Sequence, residues 1–99
     1  MPAREYLQVD PATLHLPGSR QDGANPMKLH HQLAQHGTSI AGMPPIEVKR
    51  GKDGKLVIYD GVTRATRIAK YSPGTLVPVV VTGNLTKPVG GLPTVGERL

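Results

Sequence analysis

Apolar and polar residues along this chain switch between two spacings, and each switch marks an element. Tyr6-Leu7-Gln8-Val9 alternates as a strand with one buried face does, and Asp10-Pro11 ends it, because the residue before a proline is confined to extended backbone. From Ala12 to Ala24 the chain is polar and glycine-bearing, which predicts a loop anchored by Leu14 and Leu16 with Ser19-Arg20-Gln21-Asp22-Gly23 exposed. Asn25-Pro26 then opens a helix. The Asn side chain can cap free amides, and Pro at the first helical position forfeits no hydrogen bond. This helix is expected to run to His36, with Met27, Leu29 and Leu33 as its apolar contacts, Gly37 as its stop, and Lys28, His31 and Gln35 on a separate polar stripe.

The strand spacing returns at Pro45-Ile46-Glu47-Val48-Lys49. Lys52-Asp53-Gly54-Lys55 reads as a hairpin turn, since Asp-Gly tolerates positive φ, so the strand around Val48 should pair antiparallel with Leu56–Tyr59. A glycine, Gly61, separates that run from a short helix beginning near Thr63, carried by Ile68 and Ala69 and stopped by Ser72-Pro73-Gly74. Val77 to Thr82 is an apolar, β-branched strand continuous enough to be covered on both faces. These elements predict a small α+β domain over residues 1–83, with a mixed sheet, one hairpin and two main helices. Residues 84–99 carry Pro88, Gly90, Gly91, Pro93 and Gly96 without a period, and are expected as a C-terminal tail or strap, a disordered linker being the favoured reading.

Composition narrows the chemistry. The chain has 99 residues, which is one domain with a modest core, and it has no Phe, Trp or Cys. Val, Leu and Ile must therefore build the core. With Tyr6, Tyr59 and Tyr71 as the only aromatics, a single-strand nucleic-acid reader that stacks several bases is disfavoured. Absence of cysteine excludes a disulfide framework, a thiolate metal site and a cysteine nucleophile, and is compatible with a reducing, cytoplasmic setting. No apolar run approaches ~18 residues and the N-terminus lacks the layout of a signal peptide, so the expected protein is soluble, without a membrane partner. His30, His31 and His36 contain no i, i+4 pair, and no metal site is predicted from them.

The formal net charge is +5, from twelve Lys and Arg against seven Asp and Glu. That favours an anionic partner, a nucleotide or a nucleic acid, although solubility alone accounts for a charge of this size. The stretch that could receive an anion is Asp60-Gly61-Val62-Thr63-Arg64-Ala65-Thr66-Arg67. A glycine permits a sharp turn and close approach of a ligand to the backbone, and the helix start behind it presents free N–H groups and partial positive charge. Thr63 adds a hydroxyl, and Arg64 and Arg67, three apart, add guanidinium forks suited to phosphate. Lys28, His31 and Gln35 could face this turn from the first helix, and Arg20 could approach from the loop. Asp60 or Asp22 is the candidate to carry a divalent cation or act as a base. The competing reading is an ordinary turn followed by a solvated basic helix.

In order and spacing the chain resembles the ParB N-terminal and sulfiredoxin-like superfamily. The resemblance runs from Val9 to Val81: the early strand with Ser19-Arg20 in its loop, the helix ending Leu33-Ala34-Gln35-His36-Gly37, Pro44-Pro45-Ile46-Glu47-Val48, the Asp53-Gly54 hairpin, Gly61-Val62-Thr63-Arg64 and Val77-Pro78-Val79-Val80-Val81. It implies a nucleotide pocket between the two helices. Sulfiredoxins look similar around Asn25-Pro26-Met27-Lys28-Leu29, but their catalytic cysteine falls at Val62, so their sulfinic acid reduction is not implied here. Their phosphate-binding Lys and Arg fall at Lys28 and Arg64, their first-helix Ser and Thr at His31 and Gln35, and their motif His at Thr63. ParB proteins have an acidic residue at the position of Val62, bind CTP with this domain and continue into a DNA reader.

Two functions follow from the resemblance and the residues together. One is a stand-alone ParB-like domain that binds a nucleotide such as ATP or CTP, or a nucleic-acid phosphate, with phosphoryl-transfer or nuclease activity and Mg²⁺ as its metal. The other is a non-catalytic nucleotide- or DNA-binding regulatory module.

Overall fold

In the computed structural model, which describes residues 4–99, one sheet is built from β1 (Glu5–Val9), β2 (Ile46–Arg50), β3 (Leu56–Asp60) and β4 (Val77–Asn84) in the order β1-β4-β2-β3. Residues 1–3, where the reading of the N-terminus as lacking a signal peptide begins, lie outside the described residues. β1 pairs antiparallel with β4 and β2 antiparallel with β3, while β2 and β4 are parallel. The sheet is therefore mixed, and with α1 (Pro26–His36) and α2 (Val62–Tyr71) it makes a small α+β domain. The expected hairpin is present. Gly54 adopts φ 81° in its turn, and the Gly51 amide closes it on the Lys55 carbonyl at 2.7 Å. Pro78 sits one residue before β4 begins to pair with β2 at Val79, so that ladder never needs the N–H that proline lacks.

α2 is strongly amphipathic. Val62, Ala65, Thr66, Ile68 and Ala69 are buried, and all but Thr66 join Ile46, Val48, Ile58, Val77, Val79 and Val81 in an aliphatic core. α1 is held differently, since none of its residues is fully buried. Asn25 caps it by accepting from the amides of Met27 and Lys28 at 2.9 and 3.2 Å, and Gly37 at φ 58° ends it with its amide on Leu33 O at 2.8 Å. No described helix is long and apolar enough to cross a membrane.

The main departure from expectation is the C-terminal segment, which is not a linker. β4 extends through Asn84, and the residues after it are stitched to the body in two places. At the hairpin, Asp53 Oδ1 accepts from Val89 N at 3.3 Å and Oδ2 from Gly90 N at 2.8 Å, while Lys52 N donates to Lys87 O at 3.0 Å. Beyond it, Leu14–Leu16 runs alongside β3, with His15 N on Leu56 O and Ile58 N on His15 O, both at 2.9 Å. The tail pairs with the outer side of that segment: Leu16 N donates to Pro93 O at 2.8 Å and Val95 N to Leu14 O at 2.9 Å. The His15 ring donates from Nδ1 to Leu92 O at 2.8 Å. The open edge of β3 is thus covered, and Val89 and Val95 are buried at 4% and 1% exposure. Such a segment carries no period because each apolar residue fills a separate gap rather than one continuous face.

Burial of Val95 makes a direct prediction. Val95→Ala removes two buried methyl groups and should lower the unfolding free energy by about 2 kcal/mol in urea denaturation, whereas Leu99→Ala, at a position 51% exposed, should change it little. Equal and negligible effects would show that the segment is not part of the fold. Asp53 supplies a pH test. Its burial pushes the carboxyl pKa up, but the amides of Gly90, Val89 and Lys55 outweigh that and hold it below the usual aspartate value. A depressed folded-state pKa stabilises above the unfolded value and is lost as pH falls through the folded one. Asp53→Asn should therefore be less stable than wild type at neutral pH, with the gap closing as the pH drops below the ordinary aspartate range.

Candidate functional site

The sheet delivers β3 to Gly61, whose backbone at φ 116°, ψ 23° turns the chain into α2. Only glycine suits this point. A Cβ there would stand 2.8 Å from Arg64 Nη2, 3.1 Å from Arg64 Nε and 3.1 Å from Ile46 Cγ2. Arg64 has folded back over the first turn of its own helix, so that its guanidinium lies against the glycine backbone. In contrast to α1, the start of α2 has no side-chain cap. Its first amides are left to whatever occupies the space in front of them.

That space is a cleft of about 540 Å³, within the size range of small-molecule sites. β3 and the start of α2 contribute Tyr59, Asp60, Gly61, Thr63 and Arg64, α1 contributes Lys28 and Gln32, and the loop after β1 contributes Ser19 and Arg20. Arg20, Lys28 and Arg64 thus arrive from three separate parts of the chain. Among the described residues Asp60 is the only acid in the lining. Its Oδ2 lies 3.6 Å from Arg64 Nη2, and its carbonyl accepts from the same nitrogen at 3.4 Å, both longer than the ~2.8 Å of a strong charge-assisted bond. The Arg64 side chain is only 17% exposed, so these loose contacts leave much of its donor capacity unused. Tyr59 stands at the rim, 67% exposed, with Lys49 Nζ 4.9 Å from its ring centre.

Several candidates lie elsewhere. Arg67 does not reach the cleft, because α2 turns it inward, where it is 2% exposed and donates from Nη1 to Gly37 O at 2.8 Å and Ser39 O at 2.9 Å. Burial lowers its pKa. It is a structural pin on the end of α1. Asp22 is exposed outside the lining, which leaves Asp60 as the one candidate acid at the site. His31 and Gln35 are exposed and also outside the lining. The reason is rotational: at 100° per residue, packing Leu29 and Leu33 inward brings positions 28, 32 and 36 progressively toward α2 and swings 31 and 35 away. Gln32 and Tyr59 line the cleft although neither was among the sequence candidates; for Gln32 the i, i+4 spacing from Lys28 was the signal available. Among the described residues no three His, Asp or Glu side chains converge as a metal site would require.

No protein-family model, curated protein or solved structure matches the chain.

The glycine turn gives a prediction independent of any ligand. Gly61→Ala must bear a positive φ and displace the Arg64 guanidinium, costing about 1–3 kcal/mol in unfolding free energy. Gly91→Ala, where a Cβ would meet nothing within 4 Å, should stay within about 0.5 kcal/mol of wild type.

Proposed function

We propose that this is a ParB N-terminal or sulfiredoxin-like domain that binds a nucleotide through its phosphates at the Gly61 turn, as a binding module rather than an enzyme. The observation that carries the reading is the convergence of Arg20, Lys28 and Arg64 on the uncapped start of α2, with Asp60 alone to balance them. Three cations brought together from separate elements repel one another, and an anion in their midst relieves that repulsion. The order of strands, hairpin and helices supports the family assignment, with Lys28 and Arg64 in the positions that the resemblance gives to phosphate ligands.

In this arrangement the first amides of α2 donate to a terminal phosphate and Thr63 adds its hydroxyl. Arg64 supplies a planar fork, Lys28 and Arg20 supply point charge and a second guanidinium from across the cleft, and Tyr59 offers a base the exposed area of its ring. The candidate nucleotides are ATP and CTP. A Mg²⁺ ion would arrive on the phosphates and find one protein carboxylate, Asp60, which is the usual economy of such sites. Phosphoryl transfer or phosphodiester cleavage would rest on that same carboxylate as base, without the several converging acids of an efficient metal nuclease.

Titration calorimetry with ATP and CTP in Mg²⁺ tests the reading. Arg64→Ala should weaken binding by about 1.5–3 kcal/mol, and Arg64→Lys should restore only part of it, because an ammonium lacks the fork. Lys52→Ala, at the far end of β3 from Gly61, should change nothing. Equal losses for Arg64→Ala and Lys52→Ala would mean diffuse surface electrostatics and no pocket. Affinity for DNA that exceeds that for either nucleotide and falls steeply with salt would favour backbone recognition of nucleic acid instead.

A further inference from the structure

The cleft at the Gly61 turn does not end at Arg64. Lys28, Gln32 and His36 follow one another at four-residue intervals on α1 and form a single stripe along about 12 Å of that helix. Lys28 and Gln32 line the cleft, while Gln32 and His36 line a second cavity of about 360 Å³ farther along the same wall. On the α2 side Arg64 belongs to both linings. The two cavities are therefore consecutive stretches of one groove between the helices, with Gln32 and Arg64 at their junction. Their chemistry differs. The first stretch adds Arg20, Lys28 and the uncapped amides of α2 to Arg64, with Tyr59 exposed at its rim. In the second, Arg67 is 2% exposed and turned to the Gly37 and Ser39 carbonyls, and no acid is among the described lining residues. What that stretch offers a ligand is the His36 ring and a wall of Ala41, Met43 and Pro44 from the loop leading to β2.

We infer that the groove takes a nucleotide whose outer phosphate is esterified to a second, uncharged organic group, with the phosphates at the Gly61 turn and the second group in the stretch beyond Arg64. This rests on the nucleotide binding proposed above, with the base at Tyr59, and names the class of nucleotide. A phosphate chain that ends at Arg64 leaves the Met43 and Pro44 wall to water, whereas a group carried past Arg64 covers it. A phosphate flanked by organic groups on both sides still presents two oxygens to the Arg64 fork, which Asp60 holds only loosely at 3.6 Å. The second group is uncharged because its stretch has neither an accessible Lys or Arg for an acid nor a described carboxylate for a base.

Calorimetric titrations of matched pairs test this: ADP against ADP-glucose and diadenosine diphosphate, and CDP against CDP-glucose, all in Mg²⁺. At least one conjugate should bind about tenfold or more tighter than its parent diphosphate. Ala41→Trp and His36→Trp fill the second stretch from opposite walls, at exposed positions whose side chains hold no hydrogen bond to a described residue, and two variants keep the test alive should one misfold. Each should abolish the gain and leave the parent's affinity within about twofold. Conjugates no tighter than parents that themselves bind would overturn the inference and leave nucleotide binding standing. A gain that survives both variants, or parents weakened as much as conjugates, would overturn it as well, the second outcome placing a lone nucleotide across both stretches. Binding of neither parents nor conjugates would sink the nucleotide reading together with it.

Discussion

The contact on which the candidate site depends is the grip of Arg67 on the chain that leaves α1. α1 buries none of its residues completely, so apolar packing alone defines its position weakly. Arg67, rooted in the best-buried helix, reaches the carbonyls of Gly37 and Ser39 and ties the end of α1 to α2. Both walls of the cleft between the helices are set by that tie. The same residue carries its charge into the interior, and the two neutral oxygens it holds satisfy only one of its nitrogens.

The two helix starts show how similar local chemistry serves opposite ends. Asn25 closes the amides of α1 with its own side chain, and Pro26 removes one donor from the count. Gly61 can do neither. Its lack of a side chain leaves the first amides of α2 open and lets Arg64 lie back across the turn. One end is finished by the chain itself, whereas the first amides of α2 open without a side-chain cap onto the cleft that Lys28 and Gln32 of α1 line from the other side.

A chain with no Phe or Trp must stabilise a small core by other means, and here the C-terminal segment supplies them. Val95 completes the aliphatic cluster, and Asp53 clamps Val89 and Gly90 to the hairpin. Thr94 and Glu97 cap the last turn reciprocally, Thr94 N donating to Glu97 Oε1 and Glu97 N to Thr94 Oγ1, both at 3.2 Å. From that turn Arg98 Nε donates to Gln21 O at 3.0 Å, which steadies from behind the loop that carries Ser19 and Arg20 into the cleft. The segment that lacks a period therefore supports both the core and the approach to the site.

Local signals in the sequence determined most of the elements: the Asn-Pro start and Gly37 stop of α1, the Asp53-Gly54 hairpin, the alternation of β2 and the β-branched run of β4 all depend on residues within a few positions of one another. The glycine turn and the cations Arg20, Lys28 and Arg64 were legible for the same reason, as was Asp60. What only the tertiary structure decided was which way each helix faces and what the aperiodic tail touches. Leu29 and Leu33 set the rotation of α1, exchanging His31 and Gln35 for Gln32, and the burial of one face of α2 turned Arg67 from the ligand side to the interior. Residues 84–99 became part of the body through contacts with Leu14, His15, Leu16 and Asp53, dozens of positions away. Spacing along the chain records neighbours in a helix or strand, whereas these outcomes turn on gaps that exist only once the sheet has assembled.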